Sequence, residues 1–229
     1  MILMLLAAIL PVILLAFYIW YKDPVSEPVP LLRRALALGV AICIPVAFAE
    51  SSISQLLFGT GEPTSLFGTT IKAFLVAAVP EESAKLLALF LVLYKNPWFD
   101  EHFDGIVYAV FVGLGFAAFE NAMYVLSAGD KWVTVAVMRA LLSVPGHYAF
   151  AILMGYYYSM YHFVNRSFSN ALKVLLVPVL AHGVYDSLAM SGSVDPVAGG
   201  ICFIVLIYFC IKLQKVAHQK VLSLANSSR

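Results

Sequence analysis

Apolar residues in this chain come in long unbroken runs, at about 2–21, 35–57, 69–94, 105–127, 133–162, 171–191 and 197–213. About 20 apolar residues cross the hydrocarbon core of a bilayer as a helix. In lipid, an uncovered segment must satisfy its own backbone polar groups, which a helix does. The pattern therefore predicts an all-α fold, a polytopic transmembrane helical bundle of about seven spans. Between the first two runs, KDPVSEPVPLLRR over 22–34 has three prolines and several charges and reads as a loop. The first run is too long for a signal-peptide core and has no basic residues before it, so it reads as a retained span. With no internal repeat, low-complexity tract or long loop, residues 1–229 read as a single integral membrane domain.

Charge position orients the bundle. With seven spans, Lys22, Arg33, Arg34, Lys95, Arg166, Lys173, Lys212, Lys215, Lys220 and Arg229 fall on one side, and only Lys72 and Lys131 on the other. Loops rich in Lys and Arg stay cytoplasmic, so the amino terminus is expected outside and the carboxyl terminus in the cytoplasm. A hydrophobic content of 62% excludes an ordinary soluble domain, and a net charge of +1 without a basic stripe excludes a nucleic-acid partner. Cys43, Cys202 and Cys210 stand singly in apolar runs and read as small buried hydrophobes.

The third run departs from this apolar logic, because it holds Glu81, Glu82 and Lys85 in AVPEESAKLL. An ionisable side chain at the centre of a spanning helix costs roughly 2.5–3.5 kcal/mol, so three so close together need partners or a wet cavity. Neighbouring runs supply candidates in Glu120 and Asn121, in Pro145, Gly146 and His147, and in His182 and Asp186, which lie four apart on one helix face. At a rise of ~1.5 Å per residue, Glu81 and Glu82 lie roughly 20 Å from the outer helix ends, Glu120 about 10 Å, His147 about 20 Å and His182 about 13 Å. That range allows one cavity between the midplane and the outer face. Adjacent residues point about 100° apart, so one glutamate faces the cavity and the other supports it, and spacing alone does not say which. Gly105, Ala109, Gly113 and Ala117 form a small-residue face for close helix packing. Glu50 and Arg139 read as helix-end side chains that snorkel to the interface, and the polar run in NPWFDEHFDG as an interfacial anchor.

An ionised glutamate among these groups can take a proton from water, and a histidine on a neighbouring helix can donate to a developing oxyanion. Two histidines with carboxylates also suit zinc, on His147, His182 and Glu120, although no H-E-x-x-H helix is present. The metal-free form is the leaning, with no cofactor assigned and zinc left possible. A proton-coupled transporter is the rival reading, because Asp, Glu and His chains also relay protons. It lacks the usual repeated halves with paired broken helices.

The strings EESAK, DEHFDGIVYA, GFAAFENAMY and AHGVYD, with His147 between the last two, resemble in order and spacing the PrsW family of intramembrane proteases. The chain is more distantly similar to the CAAX-prenyl protease and bacteriocin-processing superfamily. The resemblance implies a multi-pass peptidase of the bacterial cytoplasmic membrane whose substrate is a single-span membrane protein such as an anti-sigma factor, cut first by this enzyme. It implies catalytic roles at Glu81 and Glu82, at the second motif's Phe116 and Glu120, and at the third motif's His182 and Asp186. Glu120 stands where the superfamily has histidine or asparagine, and Asp186 where it has asparagine. A carboxylate donates only when protonated, which makes His147 the expected donor in place of Glu120.

Overall fold

A computed structural model describes residues 1–225 of the 229-residue chain; Arg229 of the charge pattern lies outside them. The described residues contain no strand and form seven helices. These are α1 (Ile2–Lys22), α2 (Val29–Phe58), α3 (66–93), α4 (Asp104–Ser127), α5 (Gly129–Val164), α6 (Phe168–Ser193) and α7 (Pro196–Ala225). Six are long and apolar enough to cross a membrane; the exception is α3, which carries the charge cluster. The protein is a multi-pass membrane bundle.

The starts of α2 and α5 and the end of α7 differ from the hydrophobic runs by four residues or more. Helix α2 starts at Val29 and absorbs Pro30 and both arginines, because a proline in the first turn forgoes only an N–H that has no helical partner anyway. Helix α7 continues past 213 to Ala225. Its polar extension keeps Leu213, Ala217, Val221 and Leu224 buried at helical spacing, which hydropathy averaged over a window conceals.

Helix α4 is the central post, packed by α1, α2, α3 and α5. Its small residues decide how closely the neighbours approach. A Cβ on Gly155 of α5 would stand 2.2 Å from the Gly105 carbonyl oxygen, and one on Gly115 2.1 Å from that of Leu36 in α2. Gly105 thus meets a partner helix as expected, while Gly115 serves a second interface on another face.

Val-Pro pairs punctuate the helices that carry the polar groups. Before Pro80, α3 runs as a π-helix over Lys72–Ala78; before Pro145, α5 does so over Arg139–Ser143. Each proline removes the N–H that would bond four residues back, and a wider turn takes up the mismatch. Glu81 and Glu82 follow the first pair directly, and His147 follows the second by two residues. Helix α6 keeps Pro178 inside a continuous α-helix, four residues before His182.

Candidate active site

Helices α3, α4, α5 and α6 bring the expected polar residues into one connected network. Lys85 is its hub. Its Nζ lies 2.8 Å from Glu81 Oε2, 2.8 Å from Glu82 Oε1 and 3.2 Å from His147 Nδ1, and 4.2 Å from the Phe116 ring centroid. Glu82 Oε1 also meets His182 Nδ1 at 2.9 Å, and His182 Nε2 lies 3.2 Å from Asp186 Oδ2. On the other side His147 Nε2 contacts Glu120 Oε2 at 2.9 Å. An ammonium held by two carboxylates only donates, so His147 Nδ1 accepts from it and the imidazole proton sits on Nε2, directed at Glu120.

The network borders a cavity of about 460 Å³. Glu81, Glu120, His147, His182 and Asp186 line it, whereas Lys85 and the fully buried Glu82 stand behind the wall. The two adjacent glutamates are thereby distinguished: Glu81 faces the space and Glu82 braces His182 and Lys85. Phe150 stacks on the His182 ring at 4.8 Å and 18°, fixing its plane. Asn121 is also behind the wall, where it donates to the Ala8 carbonyl at 2.6 Å and ties α4 to α1.

Arg139 and Glu50 are placed differently from the expectation at the helix ends. Both line the cavity. Arg139 donates from Nη2 to Glu120 and from Nε to Asn121 Oδ1, each at 2.7 Å, and lies 4.2 Å from the Tyr124 ring centroid. Helix α5 begins at 129 rather than 133, which puts Arg139 about 15 Å along it. Tyr124, Ser143, Tyr185 and Lys72 complete the polar part of the wall, and the sequence did not single them out as site residues.

A family model described as the PrsW family intramembrane metalloprotease matches residues 27–213. The chain belongs to the PrsW family. Among curated relatives, the Protease PrsW of Bacillus subtilis is 37% identical over 183 residues, 79% of this chain and 79% of the relative. That of Oceanobacillus iheyensis is 36% identical over 181 residues, covering 79% and 80%, and that of Clostridioides difficile 32% over 229 residues, covering 98% and 92%. No solved structure matches. As a PrsW family member the chain is an intramembrane protease.

The family's description implies a metal, and the donor set fits one. Glu81, Glu82 and His182 each offer a ligand atom within 4.8 Å of the others, and Glu82 Oε2 is buried without a hydrogen-bond partner. Two carboxylates and an imidazole leave a position open for water, as in catalytic zinc sites. Among the described residues this is the one such convergence, and it shares only His182 with the set His147, His182 and Glu120 expected from the sequence. Glu120 Oε2 is instead paired with Arg139 and His147, while Lys85 Nζ contacts Glu81, Glu82 and His147 alike.

Proposed function

We propose that this PrsW family protease hydrolyses a peptide bond in a single-span membrane protein, an anti-sigma factor being the substrate class the family resemblance suggests, in the outer half of the bacterial cytoplasmic membrane. The observation that carries the reading is the pairing of a cavity-facing Glu81 with His182 across a polar space inside an apolar bundle. Such a space admits water where lipid excludes it. The excess of basic residues at the opposite end of the bundle supports an outside amino terminus and a cytoplasmic carboxyl terminus.

Glu81 takes a proton from a cavity water as its oxygen attacks the scissile carbonyl carbon. Glu82 and Asp186 accept from His182 Nδ1–H and Nε2–H, so the ring acts as an imidazolium, and Nε2–H turns from Asp186 to the oxyanion as charge develops there. Collapse of the tetrahedral intermediate breaks the C–N bond, and the proton on Glu81 passes to the departing amine. Glu82 orients His182 through Nδ1. His147, its proton already given to Glu120, positions Lys85 rather than the oxyanion, and Asn121 anchors α4. A divalent ion bound by Glu81, Glu82 and His182 would supply Lewis acidity and acidify the bound water.

Mass spectrometry of the products from a tagged single-span substrate tests the reading. Cleavage one to three turns inside the outer end of the substrate helix is expected, and cleavage confined to the cytoplasmic end would overturn it.

A further inference from the structure

At the other end of α3 from the π-helical segment, a second cavity of about 420 Å³ opens between the start of α2 and the turn after Leu93. Its polar rim consists of Arg34, Lys95, Asn96 and Tyr94, with Trp98 beside them and Pro28, Pro30 and Leu31 forming the apolar floor. Arg34 and Lys95 are exposed, and neither has a carboxylate partner among the described residues. Arg34 makes only a long 3.5 Å contact with the Leu91 carbonyl, and the Lys95 ammonium rests 5.2 Å from the Tyr94 ring centroid. Lys95 adopts φ 53°, in the left-handed region where glycine is the usual residue after a helix. The Lys95 side chain lines the groove from this position.

We infer that this groove is a binding site for the phosphate of an anionic phospholipid headgroup, with Arg34 and Lys95 as its charged contacts and Trp98 and the prolines against the glycerol and upper acyl chain. The groove lies between the first turns of the spanning helix α2 and the last turn of α3, beside exposed Arg34 and Lys95. Basic pockets between transmembrane helices hold anionic headgroups, and a guanidinium donates to phosphate in pairs. A bare interfacial belt would place the same residues on a convex surface; here they line an open groove. Glu27, next in sequence to the groove-lining Pro28, is raised by burial to about 8 and is mainly uncharged at neutral pH. The groove is walled by Val92 and Tyr94, so an occupant grips the end of the helix that carries Glu81, Glu82 and Lys85.

The test uses the purified full chain in phosphatidylcholine nanodiscs doped with phosphatidylglycerol, with bound lipid counted by native mass spectrometry. Wild type should retain phosphatidylglycerol preferentially, and Arg34→Gln/Lys95→Gln should weaken that retention roughly 30-fold. Lys212→Gln/Lys215→Gln, which removes equal charge outside the groove, should retain it. Thermal melting of both double variants verifies that they are folded, and retention is read independently of proteolysis. Equal retention of phosphatidylcholine, or equal loss in the two double variants, would overturn the site. Displacement of the lipid by inorganic phosphate at equal concentration would assign the groove to free phosphate and overturn the lipid.

Discussion

His182 Nδ1 lies 2.9 Å from Glu82 Oε1 while Nε2 of the same ring lies 3.2 Å from Asp186 Oδ2. The ring is thus held between α3 and its own helix, with Nε2 against the cavity-lining Asp186. If Asp186 aims that nitrogen, Asp186→Asn should lower kcat by roughly tenfold and leave KM little changed, since an amide can still occupy the position. Asp186→Ala should lower it further. Steady-state kinetics on both variants measures the difference.

Arg139 should matter through Glu120. Arg139→Met leaves the Glu120 carboxylate with His147 alone and strips Asn121 Oδ1 of its donor. Removing one partner of a buried pair destabilises by about 3–5 kcal/mol, and the 15% exposure of this arginine side chain puts the expected loss below that range. Thermal unfolding in detergent should show the drop, with Arg139→Lys recovering part of both stability and activity.

Helix spacing gives a prediction free of the chemistry. Gly155→Ala sets a Cβ 2.2 Å from a backbone carbonyl that cannot rotate away. Overpacking of this kind costs about 1–3 kcal/mol. Gly200→Ala, with nothing within 4 Å of the added carbon, should leave the melting temperature unchanged or slightly raised.

The loop between α1 and α2 predicts a pH dependence. Burial raises Asp23 to about 7 and Glu27 to about 8 from ordinary values of 3.8 and 4.5. The folded form then binds more protons than the unfolded form between those limits, so stability falls as pH rises from 3.8 to about 8. It levels off on either side. Glu27→Gln should flatten the upper part of this profile, read as melting temperature against pH.

Metal loading separates the two donor sets. Protein equilibrated with zinc should lose bound metal on Glu81→Gln, Glu82→Gln or His182→Ala and keep it on His147→Ala or Glu120→Gln. Metal analysis after dialysis reads the stoichiometry, independently of proteolysis.

Much of this was legible in the chain. Seven apolar runs mark the seven helices, since burial in lipid leaves the backbone few alternatives, and charges inside those runs mark the network. Polar residues stand out against lipid as they would not against water. Three features were hidden. Arg139 was misplaced because the start of α5 before Trp132 is a short polar 3-10 turn, outside any apolar run. The extension of α7 is periodic but polar. The division of labour between Glu81 and Glu82 depends on how α3 is rotated, and that rotation is set by packing on α4, α6 and the π-helical segment.

Cleavage of a tagged single-span substrate in liposomes, comparing wild type with Glu81→Gln and Glu82→Gln at matched folding, tests the central claim most directly. The account predicts that Glu81→Gln loses roughly 10²–10⁴ of the rate, the share of a general base, and that Glu82→Gln, which keeps the base and disturbs only its support, loses less. Glu81→Gln cutting at the wild-type rate would contradict it.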